Sequence, residues 1–437
     1  MLLAKHAKSA SIAGIAVLGL SSLLTGCGNG NSGGSSGGNS TDSNQKIHLT
    51  MTVWGSDGDT KTYQQRVNLY TKLHPNVTIT VKNLPSYDQK VETMIAGGDS
   101  PDIMAVSQDA VGFGQNGAIL DLTPYIKKSG MNLNSTYEPG YLGEYQYQGK
   151  QYGLPDRGGY MIVYYNKDMF KKAGLPLPTK NWTWSQFEND AKKLTIQSGG
   201  KTTQWGFTGG SWWPVYGSFV HEAGGDIVNA QGNKSDLTSS ATEQGLQWFN
   251  NLTYQSHVAP TTVQYANMGS SVSGDSLFEK NKAAMLITGF WDIGACIQAK
   301  DNFGIAPLPL GPKGGGMETV GTGLAVAAQS KYPAVAFDVI KFLETKAGQA
   351  PIVTNGEDVP ATKAGMNLWI KSLPKGVSFD TLQNTQNEVF SPHIPPQWNQ
   401  LQDGLGNDLA PFFNGKQSLA AVVQKASSDI DNLISGN

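Results

Sequence analysis

Tryptophans occur in two stretches that the surrounding residues mark as loops, and in the first of them small polar and acidic residues follow. The stretches contain Trp54 with Ser56, Asp57 and Asp59, and the adjacent pair Trp212 and Trp213. Aromatic rings stack on apolar C–H faces, whereas carboxylates and amides hydrogen-bond hydroxyl groups. The combination suits a ligand with an apolar face and a hydroxyl rim, as a sugar has, bound where the strands of an open α/β sheet end.

Each group also has a purely structural interpretation. In that interpretation Trp54 covers the edge of a domain, and Asp57 and Asp59 are solvated loop acids. Two adjacent aromatic residues cannot both be buried easily in a loop. We therefore expect at least one of Trp212 and Trp213 to face a cleft.

Charge and metal-ligand content argue against several classes of function. The net charge is −2 with no basic block, which gives a nucleic-acid partner little support. The six histidines are scattered, with no His-x-x-x-His and no Cys-x-x-Cys, so we expect no metal and no cofactor. Cys27 lies in a targeting segment, and Cys296 is expected to be a small buried hydrophobe rather than half of a disulfide.

The low content of charged residues carries a hypothesis about the environment. Charged residues make up 15% of the chain, against about 25% in ordinary globular proteins. This suits an exported protein, and it raises the hypothesis that the protein works at low pH, where carboxylate charge is unreliable. A stability curve that collapses below about pH 5 would count against it.

A literal G-x-G-x-x-G at residues 112–117 raises the possibility of a dinucleotide site. Pro124 interrupts the helix that such a site needs after the glycines. Asp109 would also direct an anion-repelling carboxylate toward the phosphates. The motif is therefore not interpreted as a dinucleotide-binding fingerprint.

The first 45 residues have the composition of an export signal followed by a tether. Lys5, His6 and Lys8 precede an apolar run at residues 12–24, which is too short to span a membrane. Residues 28–44 are rich in glycine and serine and are predicted to be flexible.

The next part of the chain alternates between strand and helix patterns. Strands are predicted at residues 47–54, 77–81 and 101–106, with helical stretches between them. This order indicates an α/β fold with a mostly parallel sheet. At 437 residues, the chain is long enough for two domains.

A stretch at residues 153–187 carries a specific resemblance. Residues 161–165 read as a buried strand, Asn166-Lys167-Asp168 opens a short helix that ends at Gly174, and Thr183 with Gln186 forms a possible capping box. The stretch resembles the strand-to-helix segment of extracellular solute-binding proteins of ATP-driven sugar importers, the maltose-binding-like family. Residues 117–126 and 278–291 match the same family, although Asn281 replaces its usual glycine.

The resemblance implies a two-lobed, periplasmic-binding-protein-like α/β fold of type II. Each lobe is expected to be a mostly parallel sheet flanked by helices, with the ligand cleft between the lobes. The implied division is a signal peptide at 1–26, a tether at 27–45, a first lobe at 46–155 plus 308–362, and a second lobe at 156–307 plus 363–437.

The family's pattern also adds candidate ligand-binding residues. Asp88 and Asp109 match acidic positions that bind sugar hydroxyls, and Trp291 and Trp398 match stacking aromatics. The resemblance also implies that Arg157 and Tyr160, within residues 153–187, face the cleft. The structural alternative for Asp109 is a helix N-cap.

The function implied is a lipid-anchored receptor that binds a sugar, expected to be an oligosaccharide, by closure of its lobes and delivers it to ABC transporter permease subunits. Leu24-Thr25-Gly26-Cys27 resembles the bacterial lipobox, which would attach Cys27 to lipid at the extracellular face of the cytoplasmic membrane. The receptor is expected to be a monomer and not an enzyme.

Two alternatives remain open. The resemblance extends to receptors of the same fold for polyamines, peptides or glycerol-phosphate, although Arg66 and Arg157 are the only arginines available for a phosphate. A secreted glycoside hydrolase would need two carboxylates across a glycosidic bond, for which Asp57, Asp109 and Asp292 are present.

Overall fold

A computed structural model describes residues 45–138, 140–269, 272–298, 302–356, 358–383, 385 and 388–436. The predicted signal peptide, Cys27 and the tether up to residue 44 lie outside the described residues. Within the described part, no helix has both the length and the apolar character of a membrane span.

The strands are short, and most are buried. In chain order they are β1 (Ile47–Val53), β2 (Val77–Asn83), β3 (Ile103–Val106), β4 (Gln146–Tyr147), β5 (Lys150–Gln151), β6 (Leu154–Tyr160), β7 (Ile162–Asn166), β8 (Ile196–Ser198), β9 (Lys201–Gln204), β10 (Thr208–Gly209), β11 (Met285–Thr288), β12 (Phe303–Ala306), β13 (Met317–Val326) and β14 (Val389–Phe390).

Helices fill most of the remaining chain. The α-helices are α1 (Asp57–Leu73), α2 (Tyr87–Ala96), α3 (Ala110–Gln115), α4 (Thr123–Ser129), α5 (Leu133–Thr136), α6 (Lys167–Lys172), α7 (Trp184–Leu194), α8 (Trp213–Ala223), α9 (Ser240–Tyr254), α10 (Thr262–Met268), α11 (Gly274–Glu279), α12 (Ile293–Gln298), α13 (Pro333–Leu343), α14 (Lys346–Asn355), α15 (Lys363–Ser372), α16 (Trp398–Phe413) and α17 (Leu419–Ser435). Short 3₁₀ turns cover Gly143–Tyr145, Phe290–Asp292 and Asp380–Leu382.

The first sheet has the order β14-β13-β3-β1-β2, and β6 pairs with β13. β1 runs parallel to β2 and β3, as the strand–helix order predicted, while β13 returns antiparallel to β3 and β6. The inward side chains of β1, at Ile47, Leu49 and Met51, are buried. Burying such alternate apolar residues fixes the register of the sheet.

The second sheet has the order β10-β11-β7-β12, and it corrects the prediction of a mostly parallel sheet in each lobe. β10 and β11 are parallel, but β7 runs antiparallel to both β11 and β12. A parallel neighbour requires a crossover that brings the chain back to the starting end of the sheet. β7 enters directly from β6 through Met161, and its neighbours β11 and β12 are later segments that run in the opposite direction.

Met161 is the point where the chain leaves one sheet for the other. β6 ends at Tyr160 in the first sheet, and β7 begins at Ile162 in the second. β13 lies beside β6 at this junction, where Gly158 and Gly321 face each other. A Cβ on Gly158 would lie 2.8 Å from the Cα of Gly321, and Gly158 has φ +98°, so both the spacing and the backbone require glycine there. The residue boundaries of the two lobes stay predictions.

Local signals in the 153–187 stretch are confirmed. Asn166 caps α6 by accepting a hydrogen bond from the backbone N–H of Met169, and Gly174 follows the helix with φ +66°. Thr183 and Gln186 form the predicted capping box of α7. Cys296 is buried, at 1% exposure, as expected.

The glycines of residues 112–117 have a packing role. Gly112 lies inside α3, and a Cβ on it would lie 2.6 Å from the carbonyl oxygen of Pro396. The glycine therefore allows the chain that leads into α16 to pack directly on α3.

Candidate functional site

A groove opens where strands of both sheets end. Its first part, with a volume of about 300 Å³, is lined from both sheets: by Trp54, Gly55, Asp59, Ser107, Arg157, Gly158, Trp212, Trp291, Val320, Gly321, Thr322 and Asp358. Trp54 follows β1 and Ser107 follows β3, while Trp291 follows β11. The carboxyl ends of strands in an open α/β sheet are where ligands bind.

The groove continues along the first sheet. A second part of about 380 Å³ shares Trp54 and Ser107 with the first and adds Tyr87, Asp88, Gln108, Asp109, Asn399 and Gln402. A third part of about 320 Å³ shares Asp109 and Asn399 with the second and adds Glu92, Gly112, Phe113, Asn116, Pro396, Gln397 and Gln400. Since neighbouring parts share walls, we treat them as one groove.

Two tryptophans from the second sheet's side form one wall of the groove. The rings of Trp212 and Trp291 meet edge to face, with centroids 6.1 Å apart and planes inclined by 61°. Trp212 is 43% exposed, which is unusual for so large an apolar side chain. Each ring lies over a glycine: a Cβ would lie 2.0 Å from the Trp291 ring at Gly289 and 2.8 Å from the Trp212 ring at Gly210.

Trp54 forms the opposite wall. Its ring meets Tyr87 edge to face with centroids 4.9 Å apart. The Tyr87 hydroxyl donates to the carbonyl oxygen of Ala105 at 2.8 Å, which anchors this aromatic pair to the end of β3. Trp54, half-buried between the first and second parts of the groove, offers an aromatic face to a ligand in either.

Arg157 is held rigidly at the base of the groove. Its Nη1 forms ion pairs with Asp59 and, at 3.3 Å, with Asp358. Its Nε donates to the Tyr63 hydroxyl at 3.2 Å, and its Nη2 donates to the carbonyl oxygen of Trp54 at 3.4 Å. A guanidinium has five N–H donors. One N–H of Nη2 has no acceptor among the described residues, and the other four bonds fix its position.

A second buried arginine, Arg66, belongs to the same hydrogen-bond network as Arg157. Arg66 and Asp156 form an ion pair in which both side chains are fully buried, with Nη1 to Oδ2 at 2.9 Å. The Tyr63 hydroxyl donates to Asp156 at 2.6 Å while it accepts from Arg157. Both arginines of the chain therefore belong to one network that ends at the groove.

The acids of the groove have altered proton affinities. Burial raises the pKa of Asp109 to about 7; the hydrogen bond from the Ser107 N–H opposes this shift, and the charge of Asp88 adds to it. Burial also raises the pKa of Asp358 to about 6, although the adjacent Arg157 works in the opposite direction. A carboxylic acid that is partly protonated near neutrality can donate as well as accept a hydrogen bond.

Seven of the twelve predicted binding residues line the groove. They are Trp54, Asp59, Asp88, Asp109, Arg157, Trp212 and Trp291. Asp109 occupies the N-cap position of α3 but makes no side-chain cap, and its carboxylate accepts from Ser107 instead. Ligand contact by these seven residues stays a prediction, now with a common location.

The other five predicted residues are not among the groove's lining. Ser56 makes the capping box of α1 with Asp59, and Asp57 is exposed in the first turn of that helix. Tyr160 is 3% exposed and meets Phe290 edge to face with centroids 5.0 Å apart. The geometry gives no support to ligand contact by these three residues.

Trp213 and Trp398 are likewise buried rather than open to the groove. Trp213 is 5% exposed and packs on Tyr216. Trp398 is fully buried, and its indole N–H donates to Gln108 Oε1 at 2.8 Å. Of the adjacent pair, Trp212 is therefore the residue that faces the groove.

Sequence reasoning missed several polar lining residues. Gln108 and Gln402 hydrogen-bond each other at 2.8 Å, and Ser107 and Asn399 lie beside them. Three of them are adjacent in sequence to predicted binding residues, which could have identified them. Ser107 and Gln108 directly precede Asp109, and Asn399 follows Trp398. Asp358 had no comparable signal, since it pairs with Arg157 across 201 residues of sequence.

Metal ligation has no candidate cluster in this part of the chain. Among the described residues, no group of three His, Cys, Asp or Glu side chains could hold a metal ion. What the groove offers is aromatic surface, amides, hydroxyls and carboxyls around one fixed guanidinium.

Comparison with known proteins gives consistent matches. A model of the bacterial extracellular solute-binding protein family matches residues 54–350. The maltodextrin-binding protein MdxE of Bacillus subtilis is 25% identical, over 91% of this chain and 92% of its own. The galactooligosaccharide-binding protein of the same organism is 24% identical, over 88% and 90%.

Solved structures show the same architecture. The ABC substrate-binding protein Lmo0181 from Listeria monocytogenes, in complex with cycloalternan, matches with a TM-score of 0.78 at 23% identity, over 90% of this chain and 100% of its own. The sugar-binding protein MalE from Xanthomonas citri matches with a TM-score of 0.77 at 19% identity, over 89% and 98%. These likenesses confirm the predicted two-lobed α/β fold.

Proposed function

This chain belongs to the family of bacterial extracellular solute-binding proteins, and on that basis we propose that its groove binds a neutral oligosaccharide for delivery to an ABC transporter. Several relatives bear the names of sugar-binding proteins, for maltodextrin, galactooligosaccharide and multiple sugars. The observation that carries the proposal is the Trp212–Trp291 wall facing Trp54 across a groove lined with amides and carboxyls.

Aromatic walls and polar edges suit the two surfaces of a pyranose. Trp212, Trp291 and Trp54 offer ring faces or edges for the apolar C–H side of a sugar. Arg157, Asn399 and Gln402 offer donors and acceptors for its hydroxyl groups. The groove has three connected parts of about 300–380 Å³ each, which supports a ligand of several sugar units rather than one.

The charges of the groove disfavour an anionic ligand. Arg157 is the only basic residue among those that line it, and Asp59 and Asp358 already pair with it. Asp88, Glu92 and Asp109 line the far parts. Glycerol-phosphate would meet repulsion there, because like charges brought together in a partly desolvated site are costly.

The same acids favour one second candidate. A polyamine would place ammonium groups against Asp88, Glu92 and Asp109 and its methylene chain against the tryptophans. The sugar remains the stronger proposal, because three tryptophans line the first part of the groove and both carboxylates there, Asp59 and Asp358, already pair with Arg157.

Transport would follow from closure of the two lobes. Groove residues come from both sheets, so a ligand that contacts both favours the closed arrangement. Attachment through Cys27, proposed from the Leu24-Thr25-Gly26-Cys27 motif, would keep the receptor at the membrane beside its permease. Binding followed by release requires no catalytic group.

Thermal stability with a ligand panel tests the proposal. A ligand at a hundred times its Kd adds about 2.7 kcal/mol to the free energy of unfolding, which gives a clear rise in Tm. We expect a rise with a neutral oligosaccharide series and none with glycerol-phosphate. A rise with spermidine alone would replace the sugar by the polyamine, and a flat result with all of them would contradict both.

A further inference from the structure

A separate cavity of about 330 Å³ lies on the side of the second sheet, away from the acids of the groove. Its walls include the rings of Phe207, Phe249, Tyr265 and Phe413. Among the described residues that line it, none is acidic or basic, and Tyr265 is the one titratable side chain. Burial raises the pKa of that phenol to about 12, so the cavity is neutral over the physiological range.

One polar side chain of this cavity, Asn250, is deeply buried and has no hydrogen-bond partner among the described residues. Asn250, on the inner face of α9, is 8% exposed and lines the cavity. Its amide makes no hydrogen bond with any described residue, in contrast to Asn251, whose amide oxygen accepts from Gln247 at 2.8 Å. Buried amides nearly always pair with protein or with water, so the Asn250 amide is available to a polar group that enters the cavity.

Consecutive residues of the chain line the cavity and the groove. Gly209, Gly210 and Ser211 line the cavity, and the next residue, Trp212, lines the groove. The Trp212 ring lies over Gly210, where a Cβ would be 2.8 Å away. The cavity and the groove therefore adjoin at residues 210–212, where the Trp212 ring lies over the glycine backbone of the cavity wall.

We propose that this cavity is a further saccharide subsite, which binds a terminal unit of a neutral oligosaccharide whose other units lie in the groove. The inference rests on the proposed sugar-binding function and extends it to ligand length. Aromatic rings take the apolar face of the unit, and the Asn250 amide both donates to and accepts from its hydroxyls. A charged terminal unit would be excluded, because no lining group compensates its charge.

The test measures affinity against chain length in the full-length protein. Calorimetric titration with maltooligosaccharides and mannooligosaccharides of two to seven units would compare wild type, Asn250→Leu and Asn251→Leu. Leucine branches where asparagine does and removes only the polarity. Losing one neutral hydrogen bond corresponds to about a five- to tenfold rise in Kd, and we expect that rise for the longest bound chain and no change for the shortest.

The stability of the unliganded variant supplies an independent readout. Because Asn250 has no partner to lose, Asn250→Leu should raise the Tm of the free protein, whereas a structural asparagine would lower it. If Asn250→Leu folds poorly, Thr253→Val, which alters another polar group of the same cavity, provides the same comparison. Asn251→Leu should leave the chain-length profile unchanged.

The outcomes of this experiment distinguish failure of the proposed function from failure of the subsite proposal. If wild type binds no sugar of either series, the proposed function fails for these ligands and the subsite fails with it. If wild type binds sugars but Asn250→Leu and Thr253→Val change all lengths equally or none, the function stands and the subsite is wrong. The latter result would leave water as the partner of Asn250.

Discussion

The ring of Trp291 folds back over the α-carbon of Gly289, so that a Cβ on this glycine would lie 2.0 Å from the ring. The three nearest atoms to that position all belong to the Trp291 indole. Gly289 itself has φ −88°, a conformation that any residue adopts. The lack of a side chain at Gly289 therefore leaves the space that the Trp291 ring occupies.

Gly289→Ala should consequently weaken sugar binding with little effect on folding. The methyl group would displace the Trp291 ring from Trp212, and we expect Kd to rise by about tenfold, as for loss of roughly 1.4 kcal/mol of contact. Near-ultraviolet circular dichroism would report the movement of the ring, and titration would report Kd. Gly404→Ala, at a helix position with open space around it, is the matched control; equal affinities in both variants would refute the positioning role.

Trp398 should behave as a core residue and not as a ligand contact. It is fully buried and donates to Gln108, so Trp398→Ala should cost about 3–5 kcal/mol of unfolding free energy. Urea denaturation would measure that loss. Trp398→Phe retains most of the volume, and its affinity for sugar should remain within about twofold of wild type; a selective loss of affinity at full stability would restore Trp398 as a contact.

The tryptophans show which parts of the candidate site could be predicted from the sequence and which could not. Trp54 and Trp291 both line the groove, because each follows a strand and strand ends form the edge where ligands bind, while their contact with a ligand stays a prediction. Trp398 instead follows a proline-rich segment and begins α16, and local sequence does not determine which way a ring turns at the start of a helix. That choice depends on Gln108, which is 290 residues away.

Long-range pairing accounts for the other gaps. Asp358 and Arg157 are 201 residues apart, and Arg66 and Asp156 are 90 residues apart, so neither ion pair is visible in local sequence. The antiparallel course of β7 was missed for a related reason, because strand direction depends on how the chain enters the sheet and not on the composition of the strand. Local features such as the capping box at Thr183 needed no such information.

The buried pair of Arg66 and Asp156 should contribute strongly to stability once one partner is removed. Asp156→Asn keeps the shape but leaves a buried guanidinium without its counter-charge, and we expect a loss of about 3–5 kcal/mol. Urea unfolding at pH 7 checks this. Lys192→Ala breaks the exposed ion pair with Glu188 and should cost about 0.5 kcal/mol or less; similar losses in the two variants would contradict the assignment.

Stability should fall as pH rises through the range in which Asp109 titrates. Burial raises the pKa of Asp109 in the folded protein to about 7, well above the ordinary range of an aspartate carboxyl. The native state therefore binds more protons than the unfolded state between about pH 4 and 7, and the free energy of unfolding decreases with rising pH there. Asp358 and Asp292, each raised to about 6, act in the same direction.

Asp109→Asn isolates this contribution, since the amide oxygen can still accept from Ser107. Compared with wild type, the variant should gain stability at pH 8 relative to pH 5, as followed by Tm. Asp99→Asn, which removes an exposed carboxyl outside the groove, is the matched control. A variant whose Tm difference from wild type is the same at both pH values would show that Asp109 does not titrate in this window.

Titration of the wild-type protein and Trp291→Ala with the oligosaccharide that gives the largest thermal shift tests the central claim most directly. Leu73→Ala, at a 67% exposed site outside the groove, serves as the control. The groove account predicts that Kd rises by at least about tenfold in Trp291→Ala and stays unchanged in the control. Equal Kd values in all three proteins would place the sugar elsewhere and contradict the assignment of the groove as the binding site.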